Sequence, residues 1–330
     1  MAGRRTNLAL LAALAAALAS GALAFAIGTA ANAWVTVAHS VAGLVILLLA
    51  PWKSLIVRRG LRRMRPHTAT SVALTMFIVV ALGAGLLHSS GALRVFGPLS
   101  AMQVHVGAAL ACLPFALWHV RTRRVRAHRT DLARRQVLRA GALVGGSAVV
   151  YAAIESIAHI AALPAARRRF TGSYERGSFR PEAMPVTQWL DDSVPALEAD
   201  AAVEVAGRTW SLAELNRFGD GTRATIDCTG GWFAEQDWDG VWLDRILGAQ
   251  TGARSIEVVS VTGYRRRFPI GDASRLLLAT QVGGEALSPG HGYPARLVAP
   301  GRRGFWWVKW VATVATDGRP WWLQLPFPPT

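Results

Sequence analysis

Five apolar runs, each long enough to cross a bilayer, fill the first half of the chain and constrain its fold more than any other feature. They cover Leu8–Ala31, Ala33–Val57, Thr70–Ser90, Ala101–Val120 and Val137–Leu163. A helix needs about 20 apolar residues to cross the hydrocarbon core. Inside that core every backbone N–H and C=O must be satisfied internally, which an α-helix achieves within one segment. Residues 1–164 are therefore expected to form an all-α membrane bundle of about five spans. The first run is rich in Ala and Leu and lies close to the start, as a secretion signal does. It has no clear cleavage site and four further spans follow it, so it is expected to be retained.

The formal net charge of +16 over 330 residues would in a soluble protein raise the question of nucleic acid. Its distribution answers that question. Residues 1–165 hold 17 Lys and Arg against Asp131 and Glu155, whereas residues 166–330 hold 19 against 18. The excess lies in short loops between the apolar runs. Lys53, Arg58, Arg59, Arg62, Arg63 and Arg65 separate runs two and three, and Arg121, Arg123, Arg124, Arg126, Arg129, Arg134 and Arg135 separate runs four and five. The intervening loops carry only Arg94. By the positive-inside bias the N-terminus is cytoplasmic and the C-terminal half lies outside a cytoplasmic membrane. Arg167 to Arg169 run against that bias and are outweighed. Lipid, and no nucleic acid, is the expected partner of this half. The stretch Ala133-Arg-Arg-Gln-Val-Leu-Arg139, before the last run, is similar to a twin-arginine export signal. The other reading of it is ordinary cytoplasmic basic residues.

Ionisable residues inside spans are costly and are functional candidates by default. His39, His88, His105 and His159 fall near the outer ends of their runs in this topology. His119 follows His105 by fourteen residues, which at 1.5 Å and about 100° per residue puts both on nearly one helix face, roughly 21 Å apart. Neutral imidazole is an axial ligand of haem iron. Residues 33–121 resemble the four-helix cytochrome b membrane domains of quinol-linked enzymes. The resemblance implies haem b between His39 and His105, with His88 as substitute ligand, and a quinone or quinol as electron partner. An inner haem on His119 has no evident partner, because the position fourteen after His39 is Lys53. A haem-free anchor, served by a soluble carrier, is the alternative.

Residues 165–185 are polar, contain Gly, Ser and Pro, and read as a linker. From residue 186 to 330 the pattern changes to short strands and turns, an α+β domain. Ala202–Val205 alternates, Gly207 turns, and Ser211 caps a short helix. Trp242–Leu247 reads as a second helix, Ser255–Thr262 as a buried strand, and Arg296–Val298 and Trp306–Val314 as strands around the Pro300-Gly301 turn. The chain's two cysteines, Cys112 and Cys228, are too few for a disulfide framework. Cys112 sits in an apolar helix and reads as packing. Cys228 ends a β-type run, Ala224 to Ile226, and is followed by Thr229, Gly230, Gly231 and Trp232. The glycines let a large ligand approach the thiol, and thiolate suits soft, high-valent metals. A small buried cysteine at a strand end is the plain alternative.

Several motifs in one order make the C-terminal half more specific. The Cys228 segment with Trp232 is followed by Trp238-Asp-Gly-Val-Trp-Leu243, Gly263-Tyr-Arg-Arg-Arg-Phe-Pro-Ile270, His291-Gly-Tyr-Pro-Ala-Arg296, Pro300-Gly301 and Lys309-Trp310. From about Ala196 to Pro326 the chain resembles the molybdopterin-binding core of the sulfite oxidase family. The resemblance implies a molybdenum–molybdopterin cofactor, with Cys228 as the catalytic thiolate on molybdenum. It implies that His291, Arg296 and Lys309 hold the pterin and its phosphate, beside Thr229, Gly230 and Trp232. Arg offers a planar fork to phosphate and Lys a point charge, which agrees. Where sulfite-oxidising members have a substrate-site tyrosine, this chain has Thr280, in Leu278-Ala-Thr-Gln-Val-Gly-Gly284. That departure favours sulfoxide-type reduction by oxygen-atom transfer over sulfite oxidation, with Tyr264, Arg265, Arg267 and Thr280 as candidates for the substrate pocket. A cofactor-free binding module is the non-enzyme alternative.

Overall fold

The computed structural model describes residues 3–61, 68–187, 193–198, 201–248 and 252–325. Arg62, Arg63, Arg65 and His67 of the loop after the second run, and Pro326, lie outside them. The chain forms two compact units, Met1–Gly172 and Ser173–Thr330.

The first unit holds α1 (Arg4–Ala26), α2 (Ala33–Leu61), α3 (Thr68–Ser90), a small hairpin of β1 (Val95–Phe96) and β2 (Leu99–Ser100), α4 (Ala101–Thr122) and α5 (Arg134–Ile160). All five helices are long and apolar enough to cross a membrane. Their exposed sides carry large apolar residues such as Val79, Leu117, Val149 and Ile160, the face that an all-round apolar helix presents to lipid or to a partner. Ser100 starts α4 with a capping box, accepting from the Gln103 backbone N–H while the Gln103 side chain accepts from its own. That arrangement satisfies two donors left over at the helix start. Arg134 and Arg135 are the first two residues of α5.

α1 packs along α2, and α3 along α4. The two pairs repeat one design. In α1–α2, His39 Nδ1 meets the Ala17 carbonyl at 2.9 Å, its ring rests on Gly21, and Lys53 donates to Asn7. In α3–α4, His105 Nδ1 meets the Ala81 carbonyl at 2.7 Å, its ring rests on Gly85, and His119 pairs with Ser71. The members on α3 follow their α1 counterparts by a constant 64 residues, and those on α4 follow those on α2 by 66. Trp52 and Trp118 correspond as well. The helical unit therefore contains a duplicated hairpin, a repeat that the low complexity of the Ala- and Leu-rich runs hides in the sequence.

The second unit is built on two sheets. The first joins β3 (Tyr174–Glu175), β6 (Asp220–Cys228), β7 (Trp232–Trp242), β10 (Leu277–Val282), β11 (Glu285–Ala286) and β12 (Arg296–Val298). The second runs in the order β5 (Arg208–Ser211), β4 (Ala202–Val205), β13 (Val311–Asp317), β8 (Ser255–Ser260) and β9 (Arg265–Pro269). One short helix, α6 (Leu212–Asn216), opens with a Ser211–Glu214 capping box. β7 is the central strand of the first sheet: Ala234, Gln236 and Trp238 alternate inward, the period-two pattern of a strand. It pairs with β6 along one edge and with β3 and β10 along the other.

Three expectations are corrected. The segment 165–185 is not a free tether throughout, since Tyr174–Glu175 pairs in parallel with Trp232–Phe233 and Met184 is buried. Polar composition hid a segment whose backbone is claimed by a sheet edge. Trp242–Leu247 is not an α-helix: Trp242 ends β7, and only a 3₁₀ turn, Leu243–Arg245, follows. The last strand begins at Val311 rather than Trp306, because Gly304–Trp306 forms a 3₁₀ turn and Trp310 takes φ 52°.

Gly240 marks the tightest strand approach in the first sheet. A Cβ there would lie 2.1 Å from the Leu278 carbonyl oxygen. Gly240→Ala is expected to pry β7 from β10 and cost about 1–3 kcal/mol, the usual range for overpacking, seen as a lowered midpoint in denaturant unfolding followed by tryptophan fluorescence.

Candidate functional site

Cys228 closes β6, directly opposite Trp232 on β7. The connecting turn is tight: the Gly231 N–H donates to the Cys228 carbonyl at 3.1 Å, with Gly231 at φ 91°, where a side chain would be strained. The Gly230 N–H points at Cys228 Sγ, 3.4 Å away. Around the thiol lies a cavity of about 670 Å³, partly open to solvent, lined by Thr187, Thr229, Trp232, His291, Arg296 and Lys309 among others. Cys228, Thr229, Trp232, Tyr264, His291, Arg296 and Lys309, scattered over 82 positions of sequence, are thus brought to one pocket.

Each polar side chain there is held by its neighbours. His291 is buried; Nε2 lies 3.0 Å from the Met184 carbonyl and Nδ1 2.9 Å from Ser288 Oγ. A carbonyl only accepts, so Nε2 carries the proton and donates, and the serine hydroxyl donates to Nδ1. Burial holds the His291 imidazole below its ordinary range, in keeping with this neutral form. Lys309 donates to the Thr187 and Gly290 carbonyls, at 3.0 Å each, and its ammonium lies over the Trp310 ring. Gly292, at φ 115°, passes so close that a Cβ would meet Arg296 and Lys309 at 3.2–3.3 Å. Arg296 is buried between the Trp238 and Trp307 rings, donates to the His291 carbonyl at 3.1 Å, and has no hydrogen-bond partner at Nε among the described residues. Burial lowers its pKa to about 10, so it stays charged at neutral pH. A buried guanidinium with an unsatisfied N–H and, among the described residues, no carboxylate paired with it suits an anionic ligand.

The thiol itself rests on an ion pair that sequence reasoning missed. Asp227 and Arg303, each 3% exposed in their side chains, pair at 2.9 Å. Arg303 also donates to the Cys228 carbonyl at 3.3 Å, and Ser173 donates to Asp227 at 2.7 Å. Gly304 makes the approach possible, since a Cβ there would lie 3.1 Å from Cys228 Cα. Burial pushes the Cys228 thiol up, opposed by the Gly230 N–H and by Arg303. Such a thiol is a poor free nucleophile at neutral pH, whereas a bound metal deprotonates it outright. The only sequence cue to this pair is an aspartate beside the cysteine; Arg303 lies 75 residues beyond Cys228.

Of the four substrate-pocket candidates, Tyr264 lines the cavity and donates to the Phe305 carbonyl. The other three do not. Arg265 is exposed on β9. Arg267 is bound to Glu257 and Asp317 at 2.8 and 3.3 Å. Thr280 is buried in β10, donating to Asn216 at 2.5 Å. Alternation along β9 and pairing within β10 turn these side chains elsewhere.

In the helical unit the rings of His39 and His105 meet in a T-shaped contact, centroids 5.7 Å apart and planes at 83°. Since each Nδ1 can only donate to its carbonyl, each Nε2 is left with its lone pair, the tautomer of a metal-ligating histidine. His88 is committed elsewhere, with Nε2 2.9 Å from the Gly172 carbonyl. His119 meets Ser71 Oγ at 3.0 Å, and the matching place on α2 is Lys53.

Breaking the Asp227–Arg303 pair tests how the cysteine is positioned. Removing one partner of a buried ion pair leaves the other uncompensated, at about 3–5 kcal/mol. Arg303→Met is expected to lose about that much stability in denaturant unfolding, and Arg302→Met, at a pair with Asp272 whose side chains are 25% and 24% exposed, less.

Residues 193–321 match the family described as oxidoreductase molybdopterin binding domain. Over 53 residues the chain is 42% identical to the NADH nitrate reductase of Spinacia oleracea, and over 58 residues it is 40% identical to the NADPH nitrate reductase of Mycosarcoma maydis. These segments are 16% and 18% of this chain, and it spans 6% of the length of each relative. Among solved structures, the sulfane dehydrogenase SoxCD of Paracoccus pantotrophus is similar at 25% identity and a TM-score of 0.35, over 38% of this chain and 40% of that one. The pocket built around Cys228 thus lies in a molybdopterin-binding oxidoreductase domain of the sulfite oxidase family.

Proposed function

We propose that the chain is a membrane-anchored molybdenum enzyme, its active site on the outer side of a cytoplasmic membrane, that removes an oxygen atom from a sulfoxide-type substrate using electrons from the quinone pool. The observation that carries this reading is a buried thiol sharing its cavity with a buried guanidinium that pairs with no carboxylate among the described residues. Those two groups fit the two parts of a molybdenum–molybdopterin cofactor: a metal that accepts thiolate and a phosphorylated, anionic pterin. When bound, that cofactor supplies two-electron redox chemistry with oxygen-atom transfer.

The protein's own residues do the rest. Cys228 ligates the metal. Arg296 and Lys309 neutralise the phosphate, and His291, fixed by Ser288 and Met184, presents a neutral ring to the pterin. Thr229, Gly230 and Trp232 form the wall beside the thiol, with Gly230 leaving it open. Tyr264, on the cavity wall, is the one substrate-pocket candidate that the geometry supports. With Thr280 bonded to Asn216, no tyrosine-like contact is made from that position, which favours sulfoxide reduction over sulfite oxidation.

In the helical unit, His39 and His105 would hold a single haem b, which would supply one-electron transfer. The pinned Nδ1 atoms and the glycine seats at Gly21 and Gly85 support this assignment. Lys53 in place of a second inner histidine supports one haem rather than two. The loop arginines support an inside N-terminus, with Arg134 and Arg135 as the export signal.

Two measurements test the reading. Cys228→Ser in purified full-length protein is expected to abolish methionine sulfoxide reduction driven by reduced viologen, with the unfolding midpoint unchanged; turnover at the wild-type rate contradicts it. A reduced-minus-oxidised spectrum with haem extraction is expected to give one b haem per chain, lost in His39→Ala and in His105→Ala and kept in His88→Ala and His119→Ala.

A further inference from the structure

We propose that the cavity between the start of α2 and the end of α5 binds the ring of a membrane quinol; this rests on the reading that electrons enter from the quinone pool. The cavity spans about 380 Å³, a volume that includes open solvent at its mouth, and is lined by Thr36, Tyr151, Glu155, His159 and Arg168 among others. Glu155 is the one acidic residue in all five apolar helices. A carboxylate in such a helix is expensive and rarely kept without a task. Tyr151 and His159 stand one turn before and one turn after it, on the same helix face. Thr36 stands one turn before His39 on α2, so the cavity reaches to within a turn of the paired imidazoles.

The donor set selects the ligand. Glu155 Oε1 pairs with Arg168 at 2.5 Å, and Oε2 remains to accept a hydroxyl. The Tyr151 hydroxyl and the His159 ring line the same cavity as Glu155. A hydroquinone offers two hydroxyls across an apolar ring, one for the carboxylate and one for the imidazole or phenol. A lipid phosphate is the competing occupant, drawn by Arg168 and Arg169. It fits less well, because the Arg168 charge is already matched and Glu155 repels an anion.

The test uses full-length protein in phosphatidylcholine nanodiscs and a photoreactive azidoquinone, with labelled peptides mapped by mass spectrometry. The expected result is labelling within residues 151–172 that decylubiquinol displaces, and at least a tenfold loss of that labelling in Glu155→Leu and in His159→Ala. His159 is exposed, so its substitution leaves the fold intact if Glu155→Leu, which frees Arg168, does not. Labelling elsewhere, equal labelling of His159→Ala, or displacement by phosphatidylglycerol in place of decylubiquinol overturns the proposal. A dithionite-reduced spectrum of the same samples separates this outcome from failure of the haem reading: labelling intact with no b-type band leaves the site standing and removes the haem.

Discussion

The buried ion pair of Asp227 and Arg303 is the joint on which the catalytic half depends. Cys228 alone is the end of a strand. Its carbonyl is held by the Gly231 N–H of its own turn and by Arg303 reaching back from a turn far along the chain. Charges are buried in this way only when each satisfies the other and their remaining hydrogen-bonding groups find partners. Here Ser173 donates to Asp227, and the Cys228 carbonyl accepts from Arg303. The pair ties the start of the unit, the cysteine strand and the Gly304 turn into one rigid frame, the kind of support a metal ligand needs to be held in place.

Across the cavity the electrostatics run the opposite way. Arg296 is buried with its charge unmatched by any carboxylate among the described residues, and Lys309 is anchored to two carbonyls, which leave its charge in place. A pocket with a buried ion pair behind the thiol and the charges of Arg296 and Lys309 in front of it is shaped for an anion that reaches the sulfur. The helical unit uses a parallel logic with neutral groups. Backbone carbonyls fix two imidazoles, and glycines make room for their rings, so that the lone pairs remain for a ligand.

Much of this was legible in the sequence, and the reasons for the rest are physical. The five apolar helices follow from hydropathy and length, and the Ser211 cap and the Ala202–Val205 strand from local chemistry. The gathering of Cys228, His291, Arg296 and Lys309 was legible only through the order of motifs, since no local rule brings residue 228 to residue 309. Local reasoning failed where tertiary pairing overrode composition. It read Trp242–Leu247 as a helix because its apolar spacing suits either period, and 165–185 as a tether because a polar segment can still complete a sheet edge. Arg265 and Arg267 are pocket candidates as neighbours of Tyr264, and Thr280 through the resemblance to the family's tyrosine position, whereas exposure, an ion pair and a hydrogen bond to Asn216 take the three side chains elsewhere. The duplicated hairpin escaped notice because Ala and Leu repeat everywhere in these helices, and only the hydrogen bonds of His39 and His105 reveal which positions correspond.

The central claim is a bond between one sulfur of this chain and a pterin-held molybdenum. Molybdenum X-ray absorption on the purified full-length protein measures it most directly, because the number of sulfur neighbours can be compared between the wild type and Cys228→Ser. The account predicts one sulfur neighbour fewer in the variant, with the pterin sulfurs retained. An identical sulfur count in both proteins, or molybdenum absent from fully matured wild-type protein, contradicts it.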